Sequence, residues 1–177
     1  MNHREAYNAI LLLLIFIFIA SISKSQTPSN FKLISSAFEE GKPIPAKYTC
    51  DSSNISPPLS WSGFPEKTKS FAIIMDDPDA SVTWVHWVVY NIPGTITTLQ
   101  EKKNVSEINA IEGLNSWEEK GYSGPCPPSG SHRYNFKLYA LNKLITQTEK
   151  LTKAELLEVM KDHILSETTL TGMFRIE

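Results

Sequence analysis

Three groups of ionisable side chains stand at positions where apolar or neutral turn residues would be the ordinary choice. Asp77 and Asp79 flank Pro78 at the end of an apolar run, His86 interrupts the stretch WVHWVVYNI, and His132 joins a Gly/Pro/Ser-rich segment to the stretch RYNFKLYAL. An imidazole inside an apolar strand must find hydrogen-bond partners or give up its charge. A carboxylate and two imidazoles brought together suit three chemistries. Two imidazoles, helped by backbone N–H groups of the 121–130 loop, would bind a small anion such as phosphate or carboxylate, with Trp84, Tyr122 and Tyr134 as walls. Two His and one carboxylate are also the ligand set of a non-haem iron site, but the interval from His86 to His132 has no metal-motif regularity. Ser123, Ser129 or Ser131 beside a His and an Asp would make a nucleophile arrangement, yet none of them stands in a G-x-S-x-G elbow. Anion binding is the reading these residues favour.

The elements that would have to position them are strands. Residues 70–75 are an apolar run that meets Asp76-Asp77-Pro78-Asp79, a strand entering a sharp turn. Residues 84–92 are aromatic and β-branched, a central strand ended by Pro93-Gly94. If these two strands are neighbours, Asp77, His86 and His132 meet at one end of a sheet. Strict alternation places Trp84, His86 and Val88 on one face. Residues 133–141 alternate Tyr134, Phe136, Leu138 and Ala140 against Asn135, Lys137 and Tyr139, a half-buried strand.

Around this frame, residues 31–38 form a first strand and 41–58, with four prolines, an irregular excursion. Residues 95–110 form a polar surface connection. The segment 113–132 is too long for an ordinary loop, which marks it as functional. Thr152 with Glu155 makes a capping box. Leu156, Leu157, Met160, Ile164 and Leu165 then follow at helical spacing, a helix packed on a sheet. The fold class is mainly β, antiparallel, with few helices.

Composition sets the outer limits. The chain has 177 residues, 41% hydrophobic and 20% charged, with a formal charge of -2. That suits one ordinary domain with a real core and excludes wholesale disorder. The acidic balance lacks the footprint of a nucleic-acid binder. Residues 10–20 read ILLLLIFIFIA, and Ser23 and Ser25 offer small residues at -3 and -1, the pattern of a secretory signal peptide cleaved after Ser25. An uncleaved anchor is the alternative, but eleven residues reach only about half of a ~30 Å hydrocarbon core. The expected organisation is a signal peptide over 1–25, a domain over 26–177, and a periplasmic or secreted location. Cys50 and Cys126 are the only two cysteines. In an oxidising compartment they are expected to pair.

Several separated motifs, in order, resemble one family. Asp77-Pro78-Asp79-Ala80, His86 within WVHWVVYNIP, Gly124-Pro125-Cys126-Pro127-Pro128 and His132-Arg133-Tyr134 are similar to the phosphatidylethanolamine-binding protein family, in its prokaryotic Raf kinase inhibitor-like branch. YTCD at 48–51, NISPPLSW at 54–61 and ELLEVMKDHIL with Leu170-Thr171-Gly172 extend the match. The resemblance implies a large central antiparallel sheet packed on a smaller one, with a short C-terminal helical region. It also implies a small anion pocket. Asp77, His86 and His132 correspond to the pocket's polar residues. Pro78, Gly124, Pro125 and Tyr134 correspond to its rim, with Trp84 contributing. The implied role is a non-enzymatic binding or regulatory protein for a small anion or phospholipid head group, with no catalytic residue, metal or cofactor. Two alternatives accompany it. One is an interaction module, such as a protease or kinase inhibitor, that uses the 113–131 loop. The other is a metal-dependent enzyme on the Asp/His/His set. The chain departs from the family pattern at Ser81 where Pro is usual, at Ser123 where Gly is usual, and at Glu118-Glu119 where a Gly is expected.

Overall fold

The computed structural model describes residues 30–146 and 150–176. The segment 1–25, read as a signal peptide, lies outside the described residues. Among the described residues, eight strands run in chain order: β1 Lys32–Ile34, β2 Leu59–Ser62, β3 Ser70–Asp77, β4 Trp84–Pro93, β5 Thr98–Leu99, β6 Ile111–Glu112, β7 Ser131–Leu141 and β8 Ile164–Arg175. Among the described residues, one α-helix, α1, spans Lys153–Met160. The strands form a five-stranded sheet ordered β6-β4-β3-β7-β8 and a three-stranded sheet ordered β1-β2-β5, all paired antiparallel.

The central strand β3 explains the layering. Its sequence SFAIIMDD is buried at every position because both of its faces are covered. Phe71, Ile73 and Met75 pack toward the small sheet with Leu33, Leu59, Trp61 and Leu99. Ala72 and Ile74 pack on the other face with Leu156 and Met160 of α1. Strand alternation then sends the two terminal carboxylates to opposite sides. Asp76 goes to the helix side, where Lys137 and Lys153 both donate to its Oδ2, at 2.8 and 2.5 Å. Asp77 goes to the other side, toward His132.

Strand β4 does not keep strict alternation. Met75 pairs with Trp87 and Asp76 with Val85, so His86 is an extra residue in a bulge. The bulge puts His86 and Trp87 on the same side of the sheet and sends Val88 to the helix side. The expectation that Val88 shares a face with Trp84 and His86 is therefore corrected. A second shift between Phe71 and Ile73 coincides with Asn91 at φ 59°, a left-handed conformation that Asn tolerates.

Two other expectations change. The helix starts at the Thr152–Glu155 capping box as expected but ends at Met160. Ile164 and Leu165 open β8, which pairs with β7 from Ile164 to Arg175. The β-branched run through Thr168, Thr169 and Thr171 finds a long partner strand there, and sheet pairing overrides the helical spacing. The connection over 95–110 is more than surface: Leu99 and Val105 anchor it in the core, and β5 adds to the small sheet.

Candidate functional site

At the end of the large sheet, β3, β4 and β7 deliver Asp77, His86 and His132 side by side. His132 Nδ1–H donates to Asp77 Oδ2 at 2.7 Å. The other carboxylate oxygen accepts the backbone N–H groups of Asp79 and Ala80, at 2.9 and 3.2 Å. This is an Asx turn, and Pro78, which fixes φ at the next position, suits it. Arg133, next to His132, clamps Asp79 through Nε and Nη2 and donates its backbone N–H to Asp79 Oδ2. That arginine holds the Asp79 carboxyl down at about 2. The turn is thus tied to β7 at two carboxylates.

His86 is buried, with its Nδ1 2.7 Å from the Ser123 carbonyl oxygen. A carbonyl only accepts, so Nδ1 carries the proton and Nε2 is the basic nitrogen of the neutral ring. Burial lowers the pKa of this imidazole, opposed by the Ser123 hydrogen bond and the charge of Asp77. Its ring lies edge-on between Trp117 and Tyr134, each 5.2 Å away between centroids. The Tyr134 hydroxyl is buried without a hydrogen-bond partner, and burial together with Asp77 pushes its pKa up.

A cavity of about 210 Å³ opens at this point, lined by Asp77, Ala80, Trp84, His86, Trp117, Cys126 and Pro128. Asp77, Trp84 and His86 line it directly, and His132 adjoins it through Asp77. Tyr134 stands behind His86. Pro78 sits in the turn between the lining residues Asp77 and Ala80. Gly124 and Pro125 are not lining residues. The Gly124 N–H donates to Asn54 Oδ1 at 2.7 Å, so it is already committed, and a Cβ there would meet the Tyr48 carbonyl oxygen at 2.4 Å. Pro125 accepts from the Cys50 N–H. Tyr122 is not a wall either: its ring packs on Trp87, and its hydroxyl donates to the Tyr48 carbonyl oxygen. These residues stitch the loop to the 48–54 segment. The Cys50–Cys126 disulfide completes the seam and places Cys126 in the cavity wall.

Trp117 joins the expected residues in the cavity lining, and its sequence signal is a Trp amid Gly, Pro and Ser residues. Asn115 Oδ1 accepts from the N–H groups of Trp117 and Glu119, at 2.9 and 3.0 Å, and so holds this turn. Glu118 occupies φ 60°, the conformation for which the expected Gly is suited. Ser123 lies outside the positive-φ region, so Ser at the family's Gly position strains nothing. Among the described residues, no group of three or more His, Cys, Asp or Glu is placed to hold a metal ion.

Comparison with known proteins identifies relatives of this fold. Residues 34–175 match the family model described as phosphatidylethanolamine-binding protein. A UPF0098 protein of Methanothermobacter thermautotrophicus is 48% identical over 145 residues, covering 78% of this chain and 95% of the relative. A UPF0098 protein of Chlamydia muridarum is 43% identical over 149 residues, covering 81% and 97%. Among solved structures, CT736 of Chlamydia trachomatis superposes with a TM-score of 0.79 at 41% identity, covering 84% of this chain and 99% of that one. YbcL of E. coli, a member of the mammalian PEBP family, gives 0.77 at 31% identity, covering 83% and 99%.

Proposed function

The chain belongs to the phosphatidylethanolamine-binding protein family, and on that premise we propose that it is an exported, non-catalytic binding protein whose cavity takes a small phosphorylated head group. The observation that carries this reading is His86. It is a buried imidazole in the cavity wall, fixed in one tautomer by the Ser123 carbonyl. When it takes up a proton, Nε2–H becomes a charged donor for a phosphoryl oxygen. His132, oriented by Asp77, is the second imidazole of the set.

Asp77 adds a selection rule. Its carboxylate lines the same small cavity, so it disfavours a bare phosphate dianion there. It favours a phosphorylated group that brings its own ammonium, as an ethanolamine head group does. The cavity of about 210 Å³ suits a group of that size rather than a whole lipid. Export is supported by the apolar run over 10–20 ahead of Ser23 and Ser25, and by a disulfide of the kind oxidising compartments preserve.

The test is a titration with phosphoethanolamine and with inorganic phosphate, observing the ring resonances of His86 and His132. Phosphoethanolamine is expected to move the His86 signals and to bind more tightly than phosphate. If neither ring responds at millimolar ligand, the head-group reading is rejected.

A further inference from the structure

On the helix side of the large sheet, away from the head-group cavity, a cleft of about 400 Å³ opens between β4, the 114–118 segment and the start of α1. Val85, Leu114 and Leu157 give it an apolar floor, and all three are half-buried. Val85 and Leu157 pack on the same core cluster as Ala72 and Ile74. The neutral polar groups around this floor are already engaged. Asn115 Oδ1 accepts two backbone N–H groups, and Ser116 Oγ accepts the Val85 N–H at 2.8 Å. Thr152 Oγ1 donates to Glu155 within the capping box. Two charged groups of opposite sign remain in the lining, Lys153 and Glu118. Lys153 and Lys137 both pair with Asp76, so two ammonium groups share one carboxylate and the cluster keeps one net positive charge. An ammonium carries three donors, and the bond to Asp76 uses one of those of Lys153. Glu118 is exposed on the turn wall, and its carboxylate has no ion-pair partner among the described residues.

We propose that this cleft is a second ligand site, for a free amino acid with an apolar side chain. The ligand carboxylate meets Lys153, its ammonium meets Glu118, and its side chain lies on Val85, Leu114 and Leu157. The charges select a zwitterion. A carboxylate without an ammonium would face Glu118, and an amine without a carboxylate would face the surplus positive charge of the lysine cluster. The floor then selects an apolar body, because no free neutral hydrogen-bonding group stands beside it to satisfy a polar side chain. The volume falls in the range of small-molecule pockets, and an apolar lining with a few convergent polar groups is their usual make-up. The cleft shares no lining residue with the head-group cavity, and this site does not rest on the head-group reading.

The experiment titrates the full-length protein with L-leucine and follows the methyl resonances of Val85, Leu114 and Leu157. Two analogues that carry one charge each, 4-methylpentanoate and 3-methylbutylamine, are titrated in parallel. Leucine is expected to move these methyl groups and to bind about tenfold more tightly than either analogue, the scale of one hydrogen bond to a charged group. Glu118→Gln should weaken leucine about tenfold and leave 4-methylpentanoate bound as well or better. Lys153→Met should weaken leucine and 4-methylpentanoate alike. Glu118 is exposed, so its variant keeps the test open if Lys153→Met fails to fold. Ala154→Phe, which fills the cleft from an exposed position on α1, should abolish the leucine response. Unmoved methyl groups at millimolar leucine, or analogues that bind as tightly as leucine, would overturn the site. Glu118→Gln that binds leucine like wild type would overturn it too, as would leucine shifts confined to residues of the head-group cavity.

Discussion

His132 and Asp77 sit 55 residues apart and meet through a 2.7 Å hydrogen bond, Nδ1–H to Oδ2. The same carboxylate caps the turn that begins at its own residue, through Asp79 and Ala80. One side chain therefore shapes the turn, orients an imidazole and charges the cavity wall. Removing it tests all three roles. Asp77→Ala is expected to cost about 1–3 kcal/mol in urea denaturation, the scale of leaving buried hydrogen-bonding groups unpaired. Asp77→Asn keeps the turn and removes the charge. It should narrow the preference for phosphoethanolamine over inorganic phosphate by about tenfold, read by titration.

The lowered pKa of His86 sets two opposite pH dependences. The unfolded ring, with an ordinary pKa of about 6.5, binds a proton more readily than the folded one. Stability should therefore hold above about pH 6.5 and fall as the pH drops toward the folded-state pKa. Phosphate-type ligands favour the protonated ring, so their affinity should rise over the same descent. Thermal unfolding and ligand titration at a series of pH values check both slopes, and His86→Gln should flatten both.

Cys50 and Cys126 close a loop of 76 residues. On the chain-entropy view, reduction or Cys50→Ser with Cys126→Ser should cost about 4 kcal/mol of stability. Cys126 also lines the cavity, so head-group affinity should weaken under conditions where the protein stays folded. Denaturant midpoints with and without reductant, and a titration below the midpoint, measure the two effects separately.

Asp76 is buried, and Lys137 and Lys153 both donate to it. Asp76→Ala would leave two ammonium groups against the helix-side core without their counter-charge, at a cost of about 3 kcal/mol or more in denaturant unfolding. Replacing Lys153 alone should cost less, because Lys137 still pairs the carboxylate. Neither change touches the cavity, so the phosphoethanolamine response of the folded protein should persist.

Much of this was legible from the chain, because apolar alternation, Pro and Gly punctuation and the capping box are local signals. They located β3, β4 and β7, the start of α1, and the polar residues Asp77, His86 and His132. The motif order carried the family and, with it, the two-sheet architecture. Where local signals misled, a distant partner had intervened. Ile164 and Leu165 continued a helical spacing but found the long edge of β7, so they became strand. The bulge at His86 arose from the register between β4 and β3, and no spacing within β4 announces it. Gly124 sat among the expected pocket residues, yet its N–H was taken by Asn54, 70 residues away.

The sequence by itself located β3, β4, β7 and the start of α1, and showed which side chains could do polar chemistry and that two cysteines were available to pair. Those properties depend on residue type and near neighbours. Tertiary structure decided where each group points. It sent Asp76 and Asp77 to opposite faces of one sheet. It fixed the tautomer of His86 through the Ser123 carbonyl, packed Tyr122 against the core beside Trp87 and brought Trp117 to the cavity mouth. Each of those outcomes depends on contacts between segments far apart in the chain, and such contacts exist only once the sheets have packed.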